Sequence, residues 1–105
     1  LTQIANRRIF DEFLTREWQR GQREKHYLSL ILCDLDYFKL YNDNLGHHSG
    51  DFCLRRVAQA ITKAVKRPAD LVARYGGEEF AIILPQTSAQ NALRVAETIR
   101  LPVKV

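Results

Sequence analysis

The sequence predicts an α+β domain in which helices cover a largely antiparallel sheet. Three observations carry that expectation. Apolar residues recur at helical spacing in three separate stretches, the run Tyr27 to Cys33 is almost continuously apolar, and Gly76-Gly77 sits between two β-prone runs, Leu71 to Tyr75 and Phe80 to Leu84. Helix, strand, helix, hairpin and helix therefore follow one another along the chain.

Ile9, Phe10, Phe13, Leu14 and Trp18 form the stripe of a first helix from about Asn6 to Arg23, and Trp18 is expected in the core. A strand follows over Tyr27 to Cys33, then a short helical or looped stretch through Phe38 to Leu45. Leu54, Val57, Ala58, Ile61 and Val65 mark a second long helix. It must stop before Pro68, because the residue preceding a proline is pushed out of the α region. At the hairpin, both central positions of the favoured two-residue turn need positive φ, which glycine adopts without steric cost. Pro85 closes the second hairpin strand, and Thr87 or Ser88 is placed to cap a last helix through Ala92, Leu93, Ala96 and Ile99. One further strand would complete the β-α-β-β-α-β order of a ferredoxin-like fold. Leu101 to Val105 holds no such strand, so one edge of the sheet is expected to be missing from residues 1–105.

With 105 residues, 46% of them hydrophobic and 27% charged, the chain fits a single domain with one modest core. No apolar stretch approaches the span of a bilayer, and no signal peptide opens the chain. Cys33 and Cys53 are too few and too far apart for a CxxC pair or a zinc site, which points to a reducing, cytoplasmic compartment. His47 and His48 lack a histidine at i+4 or a nearby cysteine, which argues against zinc a second time. The net charge of +4 invites a polyanion, yet Arg7, Arg8, Arg16, Arg20, Arg23 and Lys25 crowd one end of the chain. A solvated helix face accounts for them, and nucleic acid is not an expected partner.

The acids carry the chemistry. Asp34 and Asp36 end the apolar strand at i, i+2 spacing, so they share a face if the strand persists, whereas a helix starting there makes one of them its cap. A carboxylate directly after an apolar strand needs a partner. Glu78 and Glu79 lie adjacent at the hairpin tip, where like charges repel unless a cation joins them, and carboxylate oxygens are the hard ligands that Mg²⁺ selects. Between strand and second helix, Asn42 and Asp51 have the donors and acceptors that read guanine, and the plainer alternatives are an Asx turn and a helix N-cap. Arg67 and Asp70 read either as a ligand site or as a helix-end salt bridge.

Together, Leu1-Thr2, Asn6-Arg7-Arg8-Ile9-Phe10, Asp34-Leu35-Asp36-Tyr37-Phe38-Lys39 with Asn42-Asp43, Gly46-His47 with Gly50-Asp51, and Arg74-Tyr75-Gly76-Gly77-Glu78-Glu79-Phe80 resemble the GGDEF family of diguanylate cyclases. The order and approximate spacing match over almost the whole chain. Glu78 replaces the more familiar aspartate and keeps the carboxylate, while Gln3 and Ala5 stand where Gly and Pro are usual and affect only a local turn. The resemblance implies a ferredoxin-like sheet of the nucleotide-cyclase and polymerase-palm type, with its last strand and helix outside these residues. It implies Mg²⁺, or Mn²⁺ in its place, held by Asp34, the Leu35 carbonyl, Glu78 and Glu79. GTP would be held by Phe38, Lys39, Asn42, Asp51, Gly76 and Gly77, with Glu78 as the catalytic group. Two GTP would condense to cyclic di-GMP across a homodimer, and the product would inhibit at Arg67 and Asp70. The parent protein would add an N-terminal sensory or receiver domain and place this domain in the cytoplasm, itself either soluble or anchored in the inner membrane. The alternative is a non-catalytic regulatory domain that binds GTP or cyclic di-GMP; such domains typically lose the hairpin acids that are present here. A nucleic-acid polymerase palm shares the acid placement but needs a template groove that a chain this short is hard pressed to provide.

Overall fold

A computed structural model of the chain describes residues 4–34, 47–77 and 79–99, and over residues 47–53 the backbone alone. The elements are α1 (Arg7–Glu24), β1 (Leu28–Asp34), α2 (His47–Ala64), β2 (Leu71–Arg74), β3 (Glu79–Pro85) and α3 (Ala89–Thr98). The expected stretch from Phe38 to Leu45 and the segment Leu101 to Val105 lie outside the described residues.

Helix α1 starts at Asn6, whose side chain accepts the Ile9 N–H at 2.9 Å. It stops at Lys25, which turns left-handed (φ 58°) so that its N–H and that of His26 both reach the Gly21 carbonyl. Helix α2 begins at His47, well before its apolar stripe, and ends at Ala64 ahead of Pro68. Of the two capping candidates for α3, Ser88 takes the role and accepts the Asn91 N–H at 3.2 Å.

The sheet is antiparallel with β3 at its centre, in the order β1-β3-β2. Ala5 extends it at the β2 edge through a parallel bridge to Ala73, donating to Val72 and accepting from Arg74, each at 2.9 Å. β3 is apolar from Phe80 to Leu84 and buried throughout that run because helices lie on both of its faces. On one face Phe80, Ile82 and Leu84 pack with Leu54, Val57, Ala58 and Ile61 of α2 and Ala92 of α3. On the other, Ala81, Ile83 and Ala73 pack with Phe10 of α1. Each large side chain fully withdrawn from water here contributes roughly 2 kcal/mol.

Trp18 departs from expectation: it is 57% exposed. The α1 stripe is buried at Phe10 and half-buried at Phe13 and Leu14, then continues past the surface that the described residues supply. Leu30 and Leu32, on the α1 face of β1, are likewise 43% and 64% exposed. No helix among the described residues is long and apolar enough to cross a membrane.

Candidate active site

The β2–β3 hairpin places the glycine pair at the end of the sheet, and its geometry differs from the turn expected from sequence. Tyr75 and Gly76 both donate to the Glu79 carbonyl, at 2.8 and 3.3 Å, so two residues of one arm face one of the other, as in a bulge. Neither glycine takes positive φ. A Cβ at Gly76 would stand 2.5 Å from Oε1 of Glu79, the far end of an exposed, flexible side chain that can move aside. At Gly77 a Cβ would meet nothing within 4 Å among the described residues, which leave that flank of the tip open.

Antiparallel register sets Asp34, the last residue of β1, directly opposite Glu79, the first of β3. Directly opposed residues project from the same face, so Asp34 and Glu79, both exposed, share one face at the sheet's end. Neither has a basic partner among the described residues. Like charges in that position destabilise the sheet, and a hard divalent cation is the partner their chemistry fits. Glu78, Leu35, Asp36, Phe38, Lys39 and Asn42 lie outside the described residues; Asp51 falls in the first turns of α2, with its backbone alone described. The described residues thus bring together Asp34, Glu79, Gly76 and Gly77.

The root of the hairpin is anchored to α1. The Tyr75 ring takes the Phe10 ring edge-on at 5.1 Å and the Arg7 guanidinium on its face at 3.8 Å. Arg74 reaches forward over the tip, donating from Nη2 to the Gly77 carbonyl at 2.8 Å and from Nε to the Gly76 carbonyl at 3.4 Å. Sequence reasoning assigned neither residue a role. Their position immediately before the glycines is the signal that was there to be used.

Arg67 and Asp70 lie in the turn between α2 and β2, on a surface of their own. Nε of Arg67 donates to Oδ2 at 3.1 Å and Nη2 to Oδ1 at 2.5 Å, and Nη2 also reaches the Pro85 carbonyl and Thr87 Oγ1, both at 2.8 Å. The Asp70 side chain is 4% exposed and that of Arg67 50%. A buried carboxylate is therefore neutralised by a guanidinium that is itself half exposed. The hydrogen bond to Asp70 raises the Arg67 pKa above its ordinary value, partial burial opposes this, and the Asp70 charge adds to the rise. Thr87, the second capping candidate, is 5% exposed and serves this cluster instead. Arg94 lies exposed on α3 and joins no part of it. Burial raises the Cys33 thiol pKa, which makes it a poor nucleophile.

The profile of the family described as "Diguanylate cyclase, GGDEF domain" matches residues 1–105. The chain is 43% identical over 104 residues to "Diguanylate cyclase DosC" of Escherichia coli K12, covering 99% of this chain and 22% of that protein. It thus spans about a fifth of the length of the curated relatives it matches. Among solved structures, the GGDEF domain of DgcB from Caulobacter crescentus in complex with c-di-GMP superposes with a TM-score of 0.89 at 40% identity, over 97% of this chain and 57% of that one. The active GGEEF domain of a diguanylate cyclase from Vibrio cholerae, which shares the glutamate variant of the motif, gives 0.84 at 37% identity, over 93% and 62%.

Proposed function

Because the chain belongs to the GGDEF family of diguanylate cyclase domains, we propose that it serves a bacterial signalling enzyme that condenses two GTP into cyclic di-GMP and two pyrophosphates. The observation that carries this reading is the Asp34–Glu79 register beside an open glycine tip. Asp34 and Glu79, with Glu78 and the Leu35 carbonyl, are the residues to hold the divalent cation. Mg²⁺, or Mn²⁺ in its place, supplies charge neutralisation at the triphosphate and a more acidic 3′-hydroxyl. Asn42 and Asp51 read the guanine, Phe38 and Lys39 line the phosphates, and Gly76 and Gly77 let the backbone approach the nucleotide as only residues without Cβ can. Glu78 takes the proton of the 3′-hydroxyl, whose oxygen attacks the α-phosphorus of a second GTP as pyrophosphate leaves. Each domain carries one such site, so two must face each other across a two-fold axis and the working unit is a homodimer.

Product feedback at Arg67 and Asp70 is part of the same reading. Guanine presents an acceptor edge to arginine and a donor edge to aspartate. Both residues are already engaged with each other, so a bound nucleotide must exchange its own groups for theirs. An N-terminal sensory or receiver domain in the parent protein supplies the input, and the domain works in the cytoplasm.

Incubation of the full-length protein with Mg²⁺ and either GTP or ATP, with products identified by mass, tests the reading. Cyclic di-GMP from GTP alone is expected, and Glu78→Gln and Asp34→Asn should each abolish it. A Glu78→Gln protein that turns over within a few-fold of wild type would remove Glu78 from the chemistry, and product binding without synthesis in the wild type would mark a receptor domain.

A further inference from the structure

Arg74 has a place in the site that follows from peptide geometry. Its backbone is locked in the sheet: its N–H donates to the Ala5 carbonyl at 2.9 Å, and it pairs with Phe80 across the ladder. From that fixed base the guanidinium reaches two successive carbonyls, Gly76 and Gly77. A trans peptide directs its N–H opposite its C=O, so holding the Gly76 oxygen toward Arg74 turns the Gly77 N–H to the other side. That N–H has no partner among the described residues, whereas the Gly76 N–H is committed to Glu79. Among the described residues nothing stands within 4 Å of the place where a Gly77 side chain would begin. A cation hydrogen-bonded to a peptide oxygen also polarises that peptide and makes its N–H a stronger donor.

We propose that Arg74 is a positioning residue: it clasps the Gly76 and Gly77 carbonyls so that the Gly77 N–H stands free on the opposite side as a donor to a phosphate oxygen of the bound nucleoside triphosphate. The proposal rests on the cyclase reading for the identity of the ligand. The orientation of the peptide does not. Arg74 acts through the glycine backbone without touching substrate, and its planar fork is what spans two carbonyls, a task that a lysine ammonium on a flexible stem does not reproduce.

The test uses the full-length protein with Arg74→Gln and Arg74→Lys. In Arg74→Gln the KM for GTP should rise about tenfold, the loss of one well-placed hydrogen bond to a charged group, while kcat falls far less and the melting temperature is unchanged. Arg74→Lys should resemble Arg74→Gln. In the nucleotide-free protein the Gly77 amide resonance and its solvent exchange rate should shift in both variants, a readout independent of turnover. Unchanged KM in Arg74→Gln overturns the proposal. So does a wild-type KM in Arg74→Lys beside a raised one in Arg74→Gln, which would mean that Arg74 acts as a bare charge on the substrate. An unshifted Gly77 amide overturns the clasp itself. A wild-type protein that neither binds nor consumes GTP, with the amide shifted as expected, overturns the cyclase reading and leaves the clasp standing.

Discussion

Arg67 holds a position where the proposed ligand contact and a structural contact coincide. Its guanidinium neutralises a nearly fully buried carboxylate and ties the turn before β2 to the end of β3 through Pro85 and Thr87. Removing it leaves Asp70 buried without its cation, at about 2 kcal/mol for the orphaned group. Arg67→Ala should therefore lower the melting temperature as well as relieve product inhibition, and Arg67→Ala with Asp70→Ala should regain most of that stability because no charge is stranded. Thermal denaturation beside isothermal titration with cyclic di-GMP separates the two effects. Product affinity is expected to fall in both variants. Equal affinity in Arg67→Ala and wild type would dissociate this pair from product binding, and a double variant no more stable than the single one would show that Asp70 is not the stranded group.

Among the elements, α1 carries the clearest local strain. Lys25 closes it in the left-handed region, at φ 58° and ψ 45°, a conformation in which a Cβ crowds the following carbonyl. Glycine has no such penalty, and the Gly21 carbonyl is already arranged to receive the N–H groups of the motif. Lys25→Gly is expected to stabilise the domain by about 1 kcal/mol, raising the melting temperature by roughly 4–8 °C. A melting temperature at or below that of wild type would mean that Lys25 gains from its surroundings more than its backbone loses. The start of α1 matters differently, since Arg7 and Phe10 seat Tyr75 at the root of the hairpin.

For the molecule as a whole, the two sides of the sheet are unequally covered. β3 is enclosed by helices on both faces, but Leu30 and Leu32 of β1 and Trp18 of α1 remain open on the α1 side. The outer edge of β1 pairs with no strand among the described residues. An apolar strand with a free edge is a template for pairing with another chain. The 105-residue chain should associate with rising concentration in size-exclusion chromatography with light scattering. Leu32→Lys should reduce that association without lowering the melting temperature of the monomer; association unchanged by the substitution would place the contact elsewhere.

Local rules written along the chain were sufficient for the order of the described elements: the helical stripes, the stop before Pro68 and the place of the hairpin at Gly76-Gly77 follow from periodicity and backbone chemistry within a few residues, whereas the choice of Ser88 over Thr87 as the α3 cap was made by the structure. The family motifs were legible for the same reason, as side-chain types at fixed spacing. Burial was less so, and Trp18 shows why: a stripe records which residues suit a core, while only the neighbouring surface decides whether they are covered. The glycine tip is a second case, where a turn expected from positive φ is built instead on two N–H groups, those of Tyr75 and Gly76, that converge on the Glu79 carbonyl. The opposition of Asp34 and Glu79, the reach of Arg67 to Pro85 and Thr87, and the anchoring of Tyr75 by Arg7 join residues far apart in the chain. Strand register and the packing of α1 set those distances, and no local preference encodes them, so they are decided only when the tertiary structure forms.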